Sequence, residues 1–149
     1  MKNKKALVFW LLTILWTWVM FAFAAQNGED SGKLSGGVTE FLMRLFSIEP
    51  SFRGNFEHIV RKTAHFCMFG LEGILLSLSL IFSKVRWKTA AVIAVPACIV
   101  LAALNEYAQT FADGRSGNLK DVCIDSAGAF LGIALVLICY YCMKSRRRA

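Results

Sequence analysis

Four apolar stretches constrain this chain more than any other feature of its sequence. They occupy about residues 6–25, 59–82, 89–111 and 122–143. A helix needs about 20 residues to cross the roughly 30 Å hydrocarbon core of a bilayer, because it rises about 1.5 Å per residue. With 56% apolar and only 18% charged residues, the chain also has too little polar material to cover a water-facing surface. The sequence therefore predicts an all-α integral membrane bundle of four transmembrane helices, forming a single domain over residues 1–149.

The basic residues predict how this bundle is oriented. They cluster beside the apolar stretches at three places: Lys2, Lys4 and Lys5; Lys84, Arg86 and Lys88; and Lys144, Arg146, Arg147 and Arg148. These clusters contain no acid, and basic loops stay on the cytoplasmic side of a membrane. We therefore expect a multi-pass plasma-membrane protein with both termini in the cytoplasm. Because the charge of +7 is split among short membrane-flanking clusters, it does not indicate a nucleic-acid partner.

The first apolar stretch has a second interpretation, as a signal peptide. It follows a Lys-rich start, and Ala22-Phe23-Ala24 resembles a cleavage site. The stretch is nearly 20 residues long, however, whereas the apolar region of a signal peptide usually has about 7–15. A retained helix is therefore the favoured interpretation.

The outer loop, residues 26–58, is rich in Gly and Ser at first and then becomes amphipathic. Its apolar residues recur at helical spacing: Val38, Phe41, Leu42, Leu45 and Phe46. This spacing predicts an amphipathic helix over Gly37–Ile48 that ends near Pro50. Such a helix either lies on the outer membrane surface or caps the bundle.

Ionisable residues within the apolar stretches are the candidates for function, because burying them in a membrane is costly. His65 and Asp125 would lie about 6 Å, and Glu106 about 7.5 Å, from the outer ends of three different helices, given the helical rise. We expect these three residues to meet in an outward-opening polar pocket, roofed by the turn-forming loop at 112–118. If the protein is an enzyme, they are the predicted catalytic residues. The predicted ligand-binding residues are Arg61, Lys62, Asn105, Gln109, Asp113, Arg115 and Asp121.

Structural roles remain open for several of the same residues. Arg61 and Lys62 could extend to lipid headgroups, Asp121 could cap its helix, and His65 could simply join helices. Gly128 and Gly132 predict close helix packing, within the chain or in a homodimer. Glu72 lies nearly mid-membrane and is expected to be protonated or bonded to a polar side chain. The spacing of His, Cys and acidic residues matches no metal motif, so neither a metal nor another cofactor is expected.

The polar motifs resemble those of a known family. They comprise RKTAHF at residues 61–66, NEYAQ at 105–109 with Phe111, Gly114-Arg115, and Asp121-Val122 followed by Asp125 and Gly128. Together, over about residues 8–140, they are similar to the VanZ-like family of membrane proteins. Asp125 stands where that family commonly has Asn, and Glu72 where an apolar or small residue is usual. The resemblance implies a bacterial integral membrane protein of the cell envelope with a role in resistance to teicoplanin-type glycopeptide antibiotics.

Three functions fit the sequence. The first is binding of an anionic membrane lipid or lipid-linked envelope precursor, with Arg61, Lys62 and Arg115 holding its phosphate or carboxylate. The second is an enzyme acting on a lipid-linked substrate, with His65 as general acid and base. The third is a small transporter or proton relay that passes from His65 towards Glu72.

Overall fold

The apolar stretches form the long helices of the protein. The computed structural model describes residues 4–146, and its four long apolar helices are α1 (Lys4–Ala24), α3 (Arg53–Phe82), α4 (Trp87–Gln109) and α5 (Leu119–Arg146). By length and composition each can cross a membrane. The predicted all-α bundle is therefore confirmed. Of the basic residues used to predict orientation, Lys2, Arg147 and Arg148 lie outside the described residues.

A further helix, α2 (Gly28–Phe46), begins nine residues before the predicted start at Gly37. The Gly/Ser-rich segment was expected to be a loop, because each glycine in a helix costs about 1 kcal/mol relative to alanine. The prediction was wrong here because the helix start is capped and the helix also packs on α3, where Ser35 Oγ donates to Glu57 Oε1 at 3.0 Å. The Asn27 side chain accepts a hydrogen bond from the Asp30 backbone N–H at 2.8 Å. Glu29 and Asp30 also place negative charge at the positive end of the helix dipole.

The two faces of α2 differ in burial. Thr39 and Met43 are buried against the rest of the protein, whereas Phe41, Leu45 and Phe46 are about two-thirds exposed, at 66%, 62% and 67%. A short 3-10 turn, Pro50–Phe52, then leads into α3. Because none of residues 4–146 covers this apolar face, the arrangement favours a helix lying on the membrane surface over a simple cap.

α3 lies at the centre of the bundle and packs against α1, α4 and α5. Its closest neighbour is α5, where Gly128 and Gly132 lie against the carbonyl oxygens of Phe66 and Gly70. A Cβ at either glycine would overlap these oxygens, so the predicted close helix approach is confirmed. The homodimer expected through the same glycines stays a prediction. Within one chain, α3 already packs on the face of α5 that carries Gly128 and Gly132.

Polar side chains join α1 to α3 inside the bundle. Thr13 Oγ1 and Ser79 Oγ lie 2.9 Å apart, and Trp16 Nε1 donates to the Met68 carbonyl at 3.0 Å. Thr17 Oγ1 donates to Glu72 Oε1 at 3.1 Å, so the expected bond from Glu72 to a polar side chain is present. These contacts make α1 an integral part of the bundle, as expected of a retained helix.

Candidate functional site

The loop between α4 and α5 is held tightly over one end of the bundle. Gly114 has a positive φ of 72°, which favours glycine. The Gly28 backbone N–H donates to the Asp113 carbonyl at 2.8 Å, fixing the loop to the start of α2. At Gly117, a Cβ would lie 2.7 Å from the Glu106 carbonyl oxygen, so the loop also presses against α4.

Three ionisable side chains from three helices meet beneath this loop. Each of His65, Glu106 and Asp125 offers a nitrogen or carboxylate oxygen, and these atoms lie within 4.8 Å of one another. His65 Nδ1 is 3.5 Å from Asp125 Oδ1, and the two atoms form no hydrogen bond. Asp125 is fully buried, and neither of its carboxylate oxygens has a hydrogen-bond partner.

Glu106, by contrast, is held at both oxygens. Gln109 Nε2 donates to Oε1 at 2.6 Å, and the Asn118 backbone N–H donates to Oε2 at 2.9 Å. Gln109 Oε1 in turn accepts from Arg115 Nη2 at 2.7 Å. A chain of hydrogen bonds therefore runs from the loop to the three-residue cluster and fixes the Glu106 carboxylate.

The basic residues at this site differ in whether they contact an acid, a polar group of the protein or neither. Lys62 forms an ion pair with Asp121 between α3 and α5. Arg115 Nη1 donates to the Phe23 carbonyl at 2.9 Å, which ties the loop to the end of α1. Arg61 forms no hydrogen bond or ion pair with any residue in the 4–146 range.

The positive charges of Arg61 and Arg115 oppose one another. Burial lowers the pKa of the Arg115 guanidinium, the charge of Glu106 raises it, and the charge of Arg61 lowers it further. Because an arginine stays protonated in proteins, the Arg115 guanidinium keeps its positive charge despite burial. The site therefore holds a positive charge that lacks a protein counterion at Arg61.

These residues line a cavity with two compartments. The polar compartment, about 280 Å³, is lined among others by Lys62, Gln109 and Asp121. The apolar compartment, about 240 Å³, has walls from α1, α2 and α3: Met20, Phe23, Leu34, Val38, Val60, Met68 and Phe69. Four residues line both compartments: Ser31, Arg61, His65 and Arg115. We call this combined space the two-part cavity.

Most of the predicted site residues lie in or beside the two-part cavity. Asn105 lines its apolar compartment, while the buried acids Glu106 and Asp125 adjoin His65 without forming its wall. Asp113 is exposed and lines neither compartment, and its backbone carbonyl serves to hold the loop. Its negative charge therefore lies outside the predicted pocket.

Sequence reasoning missed the contribution of α2 to the cavity. Ser31, Leu34, Ser35 and Val38 line it, but the first three lie in the segment expected to be a loop. The Asn27 cap followed by Glu29 and Asp30 was the signal that could have located the helix start. Asn118 was missed because it acts through its backbone N–H, which leaves no trace in residue type.

A larger cavity of about 570 Å³ lies between α3 and α5 at the opposite end of the bundle. Its lining is apolar except for Tyr140 and Lys144 and includes Ile81, Phe82 and Met143. None of the three clustered residues, His65, Glu106 and Asp125, lines this larger cavity.

The motifs and their arrangement can be compared with known proteins. The family described as VanZ/LLP1 matches residues 9–140, which is most of the chain. The chain belongs to the VanZ/LLP1 family. Searches of curated proteins and of solved structures gave no match. The two-part cavity of this VanZ/LLP1 protein therefore has to be interpreted from its own chemistry.

Proposed function

We propose that this VanZ/LLP1 protein binds an anionic amphiphile of the cell envelope in the two-part cavity. The observation that carries the proposal is Arg61, an exposed cation without a counterion among the described residues, which lines both compartments together with a second cation, Arg115. Two adjacent guanidinium groups form a strong site for phosphate or carboxylate oxygens. An anion between them would also relieve their mutual repulsion.

The apolar compartment supports an amphiphile over a free anion. Its walls include Met20, Phe23, Val60 and Phe69, and it adjoins the polar compartment at Arg61 and His65. A ligand with a charged headgroup and a hydrocarbon tail would fill both compartments at once. A glycerophospholipid and a polyprenyl phosphate share this chemistry.

The proposed location of the cavity is the extracytoplasmic side of the plasma membrane. Lys84, Arg86 and Lys88 join α3 to α4 at the end of the bundle opposite the cavity. Basic connections of this kind stay in the cytoplasm. The ligand would then be an outer-leaflet component, either a membrane lipid or a lipid-linked envelope precursor.

Binding can be tested by native mass spectrometry of the detergent-solubilised protein. The probes are dioleoylphosphatidylglycerol, a polyprenyl phosphate, dioleoylphosphatidylcholine and inorganic phosphate. We expect tight binding of one or both anionic lipids, with weak binding of phosphatidylcholine and of inorganic phosphate. Equal binding of phosphatidylglycerol and phosphatidylcholine, with no binding of polyprenyl phosphate, would remove the proposal.

The variant Arg61→Ala tests the site itself. It should weaken anionic-lipid binding about ten-fold or more, since hydrogen bonds to charged groups contribute about 1.5–3 kcal/mol and each 1.4 kcal/mol is ten-fold. Arg53→Ala is the matched control, because Arg53 is exposed two turns earlier on α3 and lines neither compartment. Equal losses in the two variants would mean that the lipid binds to surface charge alone.

We further propose that ligand binding links this protein to resistance against teicoplanin-type glycopeptides, and family membership supports this step. Deleting the gene in its own host should lower the inhibitory concentration of teicoplanin. A wild-type copy should restore it, whereas the Arg61→Ala variant should not. Unchanged susceptibility after deletion would separate the binding function from resistance.

A further inference from the structure

We propose that His65, Glu106 and Asp125 hold a single divalent transition-metal ion, of the zinc or manganese class, beside the two-part cavity. The inference goes beyond the proposed function, because amphiphile binding by Arg61 and Arg115 needs no ion. It also departs from the sequence-based expectation of no metal. That expectation relied on spacing along the chain, whereas these ligands come from three separate helices.

The geometry of the cluster suits one ion. The three donor atoms lie within 4.8 Å of one another. In a tetrahedral site with bonds of about 2.0–2.2 Å, the ligand atoms are roughly 3.4 Å apart. Small side-chain rotations therefore bring the three donors into coordination distance, with no movement of the helices.

The Asp125 carboxylate, which accepts no hydrogen bond, is an independent reason to infer a cation. It is fully buried, and both of its oxygens lack a hydrogen-bond donor. Leaving a buried carboxylate unpaired is costly, and most buried polar groups have a partner. A bound cation would satisfy both oxygens at once.

A buried oxygen on the residue next to Glu106 also lacks a hydrogen bond. Asn105 is 3% exposed, its Oδ1 has no hydrogen-bond partner, and its side chain lines the apolar compartment together with His65. Asn105 directly precedes the ligand Glu106 on α4. This amide oxygen can accept a hydrogen bond from a water molecule bound to the ion.

The contacts around Glu106 resemble the supporting hydrogen bonds of metal sites. Metal ligands are usually oriented by a second set of hydrogen bonds. Here Gln109 Nε2 and the Asn118 backbone N–H donate to the two oxygens of Glu106 at 2.6 and 2.9 Å. Each oxygen retains a lone pair for an ion, and the carboxylate is held in place for it.

The donor set narrows the identity of the ion. Two carboxylates balance the charge of a divalent cation. The imidazole favours zinc over calcium and magnesium, which prefer oxygen ligands, and the two carboxylates also suit manganese. Three protein ligands leave at least one position open. Because His65 lines both compartments of the cavity, the open position can take an oxygen of the bound headgroup.

The metal content of the purified protein tests this inference. The full-length protein is prepared without a histidine tag and with Cys139→Ser and Cys142→Ser, so that neither a tag nor the CxxC pair binds metal. A chelator first removes any bound metal, and the protein is then incubated with Zn²⁺ or Mn²⁺. After unbound metal is removed, the metal content is measured by elemental mass spectrometry. We expect about one equivalent of zinc or manganese per chain.

The variants identify the ligands. His65→Ala and Asp125→Asn should lose the ion, and Gln109→Ala should weaken its binding about 10- to 100-fold through Glu106. His58→Ala is the matched control and should retain the ion, because His58 is exposed and lies outside the cluster. Wild-type protein without bound metal, or His65→Ala with wild-type metal content, would overturn the proposal.

A thermal measurement keeps the test valid if a variant folds poorly. Adding Zn²⁺ or Mn²⁺ should raise the unfolding temperature of the stripped wild type and of His58→Ala, and should not raise that of His65→Ala. An equal rise in all three proteins would contradict the site. Lipid binding is measured separately from metal content. A protein that binds one metal ion but does not prefer anionic lipids over phosphatidylcholine would contradict the proposed function and leave the metal site standing.

Discussion

At the scale of single residues, two charged side chains of opposite sign, Arg61 and Asp125, mark the chemistry of the cavity. Glu106 is held by Gln109 and Asn118. Arg61 forms no hydrogen bond or ion pair among the residues described. Asp125 accepts no hydrogen bond, although His65 Nδ1 lies 3.5 Å from its Oδ1. The first leads to the proposed anion site and the second to the proposed metal site.

The ion pair between Lys62 and Asp121 gives a prediction at this scale. Both side chains are largely buried, at 22% and 17% exposure, and they join α3 to α5. Lys62→Met should destabilise the protein, because it leaves the Asp121 carboxylate partly buried without a counterion. Adding Asp121→Asn should recover part of the loss.

A double-mutant cycle measures this coupling. We expect a coupling free energy of about 1 kcal/mol between the two positions, from unfolding of the four proteins in mixed micelles. Additive effects would show that the pair contributes nothing to stability. The full-length wild type and the three variants are all measured in the same mixed micelles, and the wild type is the reference.

At the scale of helices, the close approach of α3 and α5 determines where the site residues meet. Gly128 lies one turn below Asp125 on α5 and against the Phe66 carbonyl, and Phe66 follows His65 on α3. The small residue therefore allows His65 and Asp125 to approach within 3.5 Å. Helix packing and site geometry depend on the same contact.

Gly128→Ala tests this dependence. The added methyl group would overlap the Phe66 carbonyl, so the helices must separate, at a cost of about 1–3 kcal/mol for an overpacked interface. Gly37→Ala is the control, since no atom lies within 4 Å of its added Cβ. It should be neutral or stabilising by up to about 1 kcal/mol.

The free energy of unfolding in mixed micelles distinguishes the two variants. A Gly128→Ala protein as stable as Gly37→Ala would contradict the close packing of α3 and α5. Reduced metal content in Gly128→Ala would further connect this packing to the His65–Asp125 pair.

Different parts of the helices were predictable to different degrees. The four apolar helices follow directly from hydropathy, and the shared depth of His65, Glu106 and Asp125 follows from helical rise. The start of α2 was not predictable in this way, because the Asn27 cap acts together with packing on α3 against a glycine-rich composition. The Asn118 contact with Glu106 and the lack of a partner for Arg61 depend on loop backbone and rotamers, which residue types do not determine.

At the scale of the whole molecule, the cavity and a group of basic residues lie at opposite ends of the bundle. The two-part cavity, the loop at 112–118 and the start of α2 lie together. The connection between α3 and α4 and the end of α5 lie at the other end, where Lys84, Arg86, Lys88, Lys144 and Arg146 are found. Such polarity predicts a fixed orientation across the membrane, with the cavity facing outward.

Cysteine labelling of intact cells tests this central claim most directly. The five native cysteines are replaced, and single cysteines are introduced as Ser116→Cys beside the cavity and Ser145→Cys at the end of α5, both at exposed serines. A membrane-impermeant maleimide should label Ser116→Cys in intact cells and Ser145→Cys only after permeabilisation. Labelling of Ser145→Cys in intact cells, with Ser116→Cys protected until permeabilisation, would contradict an outward-facing cavity.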